Sequence, residues 1–92
     1  MMKKGVLTLS VLTALAGCGL PEGLSMKDVQ TYETAVASIG CVMRTEADYL
    51  PVELQTGFTR EQVVGLTEYQ LATGKAEQLE DGGAKLTTGA CA

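Results

Sequence analysis

The chain has 92 residues, 7 of them basic and 11 acidic, and a formal net charge of −4 at pH 7. It contains no His, Trp or Asn, which excludes Ser-His-Asp triads, Cys–His dyads and His-bearing zinc sites. The acidic balance gives no electrostatic footprint for nucleic acid, and the length allows one small domain.

The first segment concerns location. Lys3 and Lys4 precede an uncharged, mostly apolar run over residues 5–15 that includes Val6, Leu7, Leu9, Val11, Leu12 and Leu15. Ala16 and Gly17 are small. A basic head, a short apolar run and a small-residue cleavage site describe an export signal. The run falls short of the about 20 apolar residues that span a bilayer.

Leu15-Ala16-Gly17-Cys18 resembles the lipobox of bacterial lipoprotein precursors. The resemblance covers residues 1–18 only. It implies that the Cys18 thiol receives a diacylglycerol, that cleavage falls between Gly17 and Cys18, and that the new amine is acylated, as with palmitate. The residue types suit that chemistry: only a thiol forms the thioether, and small residues before it admit a peptidase. Several acyl chains, at about 0.8 kcal/mol per buried methylene, hold such a protein stably on a membrane. Residue 19 is Gly rather than Asp. By the same resemblance this favours the outer membrane, facing the periplasm, if the cell is Gram-negative.

Removing residues 1–17 leaves Cys18 to Ala92, 75 residues. Lys3 and Lys4 take two of the seven basic residues with them, so five remain against eleven acidic ones, a charge of −6. Such a domain should not adhere to anionic headgroups except through acyl chains. A core of this size is marginal and often needs a staple. Cys41 and Cys91 remain once Cys18 is used, and an oxidising compartment pairs them as a disulfide. Closing a loop of about 50 residues is worth about 4 kcal/mol in the chain-entropy model. No Cys-x-x-Cys spacing suggests a redox exchange site.

Residues 18–24 form the lipidated cysteine and a short tether. Two glycines and Pro21 argue against regular structure. About six residues reach at most about 20 Å, which keeps the domain of residues 25–92 close to its membrane.

Ser25 opens the first helix, with Asp28 spaced as a capping box. Val29, Tyr32, Val36, Ile39 and Met43 recur at helical intervals and form one core-facing stripe. Cys41 would project from the far side of that stripe if the helix ran through it. Either Gly40 loosens the helix or the C-terminal tail wraps around the other flank. Thr45 to Asp48 repeats the capping pattern and starts a short helix that Pro51 limits, continuing as a turn or ragged helical piece to Gly57. Thr59 to Gln62 is a third capping box. Val63, Val64, Leu66, Tyr69 and Leu71 follow, with Gly74 as the stop. Gly65 inside this helix costs about 1 kcal/mol relative to Ala and marks close packing against another helix. Residues 75–80 and 84–88 flank Asp81-Gly82-Gly83, a hairpin-turn signal, with a helix over residues 75–81 as the alternative.

The expected fold is therefore mainly α with a small C-terminal β-hairpin, an α+β domain with one disulfide. Its element order resembles a winged helix, without signature residues. Fold alone does not carry function.

Two acidic groups, Glu77, Glu80 and Asp81 near the turn and Glu46, Asp48 and Glu53 near Pro51, could attract a divalent cation. Neither has calcium-loop spacing, so no metal site is assigned. Glu61 and Glu68 share a helix face without a cleft that would make them an acid–base pair. Gly82-Gly83 lacks the spacing and Lys of a phosphate loop. No catalytic residue, cofactor or small-molecule substrate is assigned. The expected role is a membrane-anchored accessory, structural or protein-interaction module of the cell envelope, with an envelope complex as partner. The alternatives are a ligand- or metal-binding module, or an inhibitor of a secreted hydrolase presenting a rigid loop around Pro51.

Overall fold

The computed structural model describes residues 19–92. Three local start signals build the helices. α1 spans Met26–Ser38, α2 Glu46–Thr56 and α3 Arg60–Ala72. Each begins after a hydroxyl residue whose backbone N–H is met by a side chain three positions on. Asp28 accepts from Ser25 at 2.8 Å, Asp48 from Thr45 at 3.2 Å and Gln62 from Thr59 at 2.9 Å. Thr59 returns the bond, its Oγ1 accepting from the Gln62 N–H at 3.1 Å. Such caps satisfy N–H groups that the helix itself leaves without partners.

α1 ends earlier than the apolar stripe suggested. The chain turns at Gly40 and Cys41, both with positive φ, 103° and 70°. The Cys41 N–H folds back to the Val36 carbonyl at 2.9 Å. Gly40 thus breaks the helix, and Met43 is buried as part of a strand rather than as a helical residue. β1 is only Val42–Met43. It has no counterpart among the sequence expectations, because two residues carry no periodicity.

Pro51 does not limit α2, which runs through it to Thr56. The helix forgoes one hydrogen bond, because proline has no N–H to donate, while Val52 is fully buried just beyond it. Gly57 ends α2 in a left-handed conformation and Gly74 follows α3 with the same sign of φ.

The C-terminal hairpin is present. β2 (Ala76–Gln78) pairs antiparallel with β3 (Ala84–Leu86), Glu77 opposite Lys85. Its loop is five residues long, 79–83, closed by Leu79 N–H to the Gly83 carbonyl at 2.7 Å. β1 adds to the other edge of β3, giving the sheet order β1-β3-β2. A 3-10 turn, Gly89–Cys91, then packs against α1. The α+β class with winged-helix-like element order holds, enlarged by β1.

The core gathers Val29, Tyr32, Ala35 and Val36 of α1, Met43 of β1, Val52 of α2, Val63 and Leu66 of α3, Ala76 of β2 and Leu86 of β3. Leu20 and Leu24 pack against this core from outside. Two polar residues of α3, Thr67 and Gln70, are buried as well. The Thr67 hydroxyl donates to the Val63 carbonyl at 2.9 Å. With its single proton so used, it accepts from the Tyr32 phenol, 2.5 Å away. Burial pushes the Tyr32 phenol well above its ordinary pKa. Gln70 Nε2 donates to Glu33 at 2.6 Å, and its Oε1 has no donor among the described residues.

Candidate functional site

Leu15, Ala16, Gly17 and Cys18, the expected lipobox, lie outside the described residues. Residues 19–24 form no helix or strand, yet they are not a free spacer. The Leu24 N–H closes a turn onto the Pro21 carbonyl at 3.1 Å. Pro21 lies on α3 at Gly65, so close that a Cβ added there would come within 2.8 Å of the Pro21 ring. Gly65 therefore does mark a close approach, but to the tether rather than to another helix.

Pro21 and its neighbours wall an open groove of about 510 Å³. Gly19, Leu20 and Glu22 form one side, and Gly65, Glu68, Tyr69 and Ala72 of α3 form the other. At about 100° per residue, these α3 residues centre on the side of the helix opposite Val63, Leu66, Thr67 and Gln70. The core takes one face of α3 and the tether takes the other. Beside the groove, the Tyr69 hydroxyl donates to the Met26 sulfur at 3.8 Å. Met26 is half exposed.

Cys41 and Cys91 form the expected disulfide, with Cα atoms 5.7 Å apart and a separation of 50 positions along the chain. It joins the turn after α1 to the C-terminal 3-10 turn. The Cys41 carbonyl also accepts from Leu86 N–H at 2.9 Å, so the bridge sits where β1 meets β3. A non-glycine residue at a φ of 70° costs about 1–2 kcal/mol, and the crosslink holds Cys41 in that conformation.

The acidic groups are drawn toward arginines. Arg60 reaches both oxygens of Glu46 at 2.8 Å and also pairs with Glu53, while its guanidinium lies 5.1 Å from the centre of the Tyr49 ring. The Arg60 hydrogen bonds hold the Glu46 carboxyl below its ordinary range. Asp48 is occupied as a helix cap. At the hairpin, Arg44 bonds Asp81 at 2.6 Å, and the Gly83 N–H donates to the same carboxylate. Those two contacts hold Asp81 below its ordinary range. Glu77 and Glu80 remain exposed, as do Glu61 and Glu68. Among the described residues no group of three or more His, Cys, Asp or Glu is placed to hold a metal ion. No helix among them is long and apolar enough to cross a membrane.

Sequence reasoning missed the docking of the tether and the burial of Thr67 and Gln70. The second had a signal: positions 63, 66, 67 and 70 follow the i, i+3, i+4, i+7 pattern of one helix face. No protein family, curated protein or solved structure matches this chain.

Proposed function

We propose that this chain is the precursor of a small exported lipoprotein, anchored through Cys18, which serves as a non-catalytic accessory or interaction module of the cell envelope. The observation that carries the reading is the run from Lys3 to Cys18, a basic head and apolar stretch ending in Leu15-Ala16-Gly17-Cys18. The Cys41–Cys91 bridge supports it, since disulfides persist in oxidising compartments outside the cytosol. The absence of His from the sequence removes the most versatile acid–base side chain.

Two observations rank the alternatives lower. Of the six carboxylates named for a cation, Glu46, Glu53 and Asp81 face Arg60 and Arg44 and Asp48 caps α2, which leaves only Glu77 and Glu80 of those groups. Pro51 sits inside α2, so it does not head the rigid exposed loop that an inhibitor would present there.

Co-purification tests the role. The protein carries a tag after Ala92, is crosslinked in living cells, and is extracted in mild detergent as wild type and as Cys18→Ala. The expected result is a defined envelope partner captured by the wild type and lost in the unanchored variant. Capture of nothing by either would contradict the interaction role. A partner captured equally by both would contradict the dependence on the anchor.

A further inference from the structure

A protein on a lipid anchor ordinarily rotates about its tether, and the length of free chain decides how far. Here the free length is almost nil. Leu20 and Leu24 are packed against the core, and Pro21 is seated on Gly65. Gly19 is a wall of the α3 groove. Gly19 follows Cys18 directly in the chain, and one residue extends about 3.3–3.6 Å. A diacylglycerol on Cys18 therefore starts within about one residue length of the groove. While residues 19–24 stay docked, the groove stays beside the point where such a lipid is attached.

The chemistry of that face suits a headgroup layer. Tyr69 and the half-exposed Met26 present an aromatic and a soft apolar side chain beside Leu20, Pro21 and Ala72. A Tyr with one wet end is at home at a membrane–water boundary. Glu22 and Glu68 flank the groove, and no basic residue lines it. Carboxylates repel an anionic surface but accept hydrogen bonds from the ammonium of an ethanolamine headgroup.

We propose that the α3 face formed by Gly65, Glu68, Tyr69 and Ala72, with Leu20 and Pro21 of the tether, is the surface this domain lays on a zwitterionic bilayer, and that the docked tether fixes it in that orientation. The proposal rests on the reading of Cys18 as the lipidated residue. It makes the tether an orienting strap rather than a leash. It also turns the exposed apolar pair Leu50 and Leu54 of α2 into an internal reference, because no α2 residue lines the groove.

The test uses the lipoprotein purified from membranes and placed in nanodiscs of phosphatidylethanolamine and phosphatidylcholine containing a headgroup spin label. An intact mass on the same sample reports the acyl chains on Cys18. The NMR signals of residues 65–72 should broaden several-fold more than those of Leu50 and Leu54. Gly65→Ala, which pushes Pro21 off the helix, should bring that ratio toward one. Pro21→Gly should do the same without altering α3 and serves if the first variant folds poorly. Acylated wild-type protein with equal broadening on both helices, or with the strongest broadening on α2, would overturn the orientation alone. A mass without acyl chains would overturn the anchor and the orientation together.

Discussion

Residues 19–24 and residues 87–92 are the two ends of the described chain. Both lack strands and long helices, and both lie against the helical body. They are held by different physics. The C-terminal end is fastened by one covalent bond, Cys41–Cys91, which acts largely by restricting the unfolded chain. The N-terminal end is fastened by packing: Leu20 and Leu24 against the core and Pro21 against Gly65. A crosslink contributes to global stability. A docked strap of six residues adds only the burial of Leu20 and Leu24 and sets where the chain emerges. The two ends should therefore respond to perturbation in different observables.

The largest expected effect is at the covalent end. Removing both cysteines as Cys41→Ala with Cys91→Ala should lower unfolding stability by about 4 kcal/mol, measured by urea titration. Cys41→Gly in place of Cys41→Ala should recover up to about 1 kcal/mol of that loss, because Gly accepts the positive φ of this position. Equal stability of the two variants would show that the chain abandons this turn once the bridge is gone.

Next comes the phenol of Tyr32, fully buried in the core. Tyr32→Phe removes one hydrogen bond but leaves Thr67 bonded to the Val63 carbonyl, so the cost should be about 1 kcal/mol at neutral pH. The variant also isolates a pH effect. The folded phenol titrates above its unfolded value of about 10. Its stabilisation is complete below that pH and is lost as the pH climbs toward the folded value. Wild type should lose stability above about pH 10, and Tyr32→Phe should lose less over the same interval.

At the packed end, Gly65→Ala gains helix propensity and crowds Pro21, two effects of about 1 kcal/mol and opposite sign. Global stability should barely move. The Leu24 amide, bonded to the Pro21 carbonyl, should nonetheless exchange with solvent markedly faster. A drop in stability comparable to loss of the disulfide would erase the distinction between the two ends.

The smallest effect belongs to the surface ion pairs. Asp81 and Glu46 have folded values below their unfolded ones. Their contribution is present above the ordinary carboxylate range and fades as the pH falls through the folded values. Asp81→Asn should flatten the acid limb of a stability–pH curve and leave its neutral plateau nearly unchanged, because Asp81 is exposed.

Much of the fold could be read locally. Ser25, Thr45 and Thr59 each announced a helix, because a cap is a contact over three residues. The disulfide was readable because only Cys41 and Cys91 remained after Cys18. The hairpin was readable from Asp81-Gly82, although the loop took five residues. What escaped depends on contacts distant in sequence. β1 exists because β3 offers it an edge. Pro51 is helical because Val52 is drawn into the core, outweighing the backbone preference of the residue before a proline. The docking of Pro21 on Gly65 joins positions 44 apart, and neither residue signals it alone. The anchor motif is a reading of the sequence alone, whereas the docking of Pro21 on Gly65 is visible only in the structure.

The Cys18 anchor is decided by the intact mass of the protein extracted from the membrane fraction. The expected mass is that of a chain beginning at Cys18, carrying a diacylglycerol and an amide-linked acyl group, and lighter by two hydrogens for the Cys41–Cys91 bridge. A chain that retains residues 1–17, or one that begins at Cys18 without acyl chains, would contradict it.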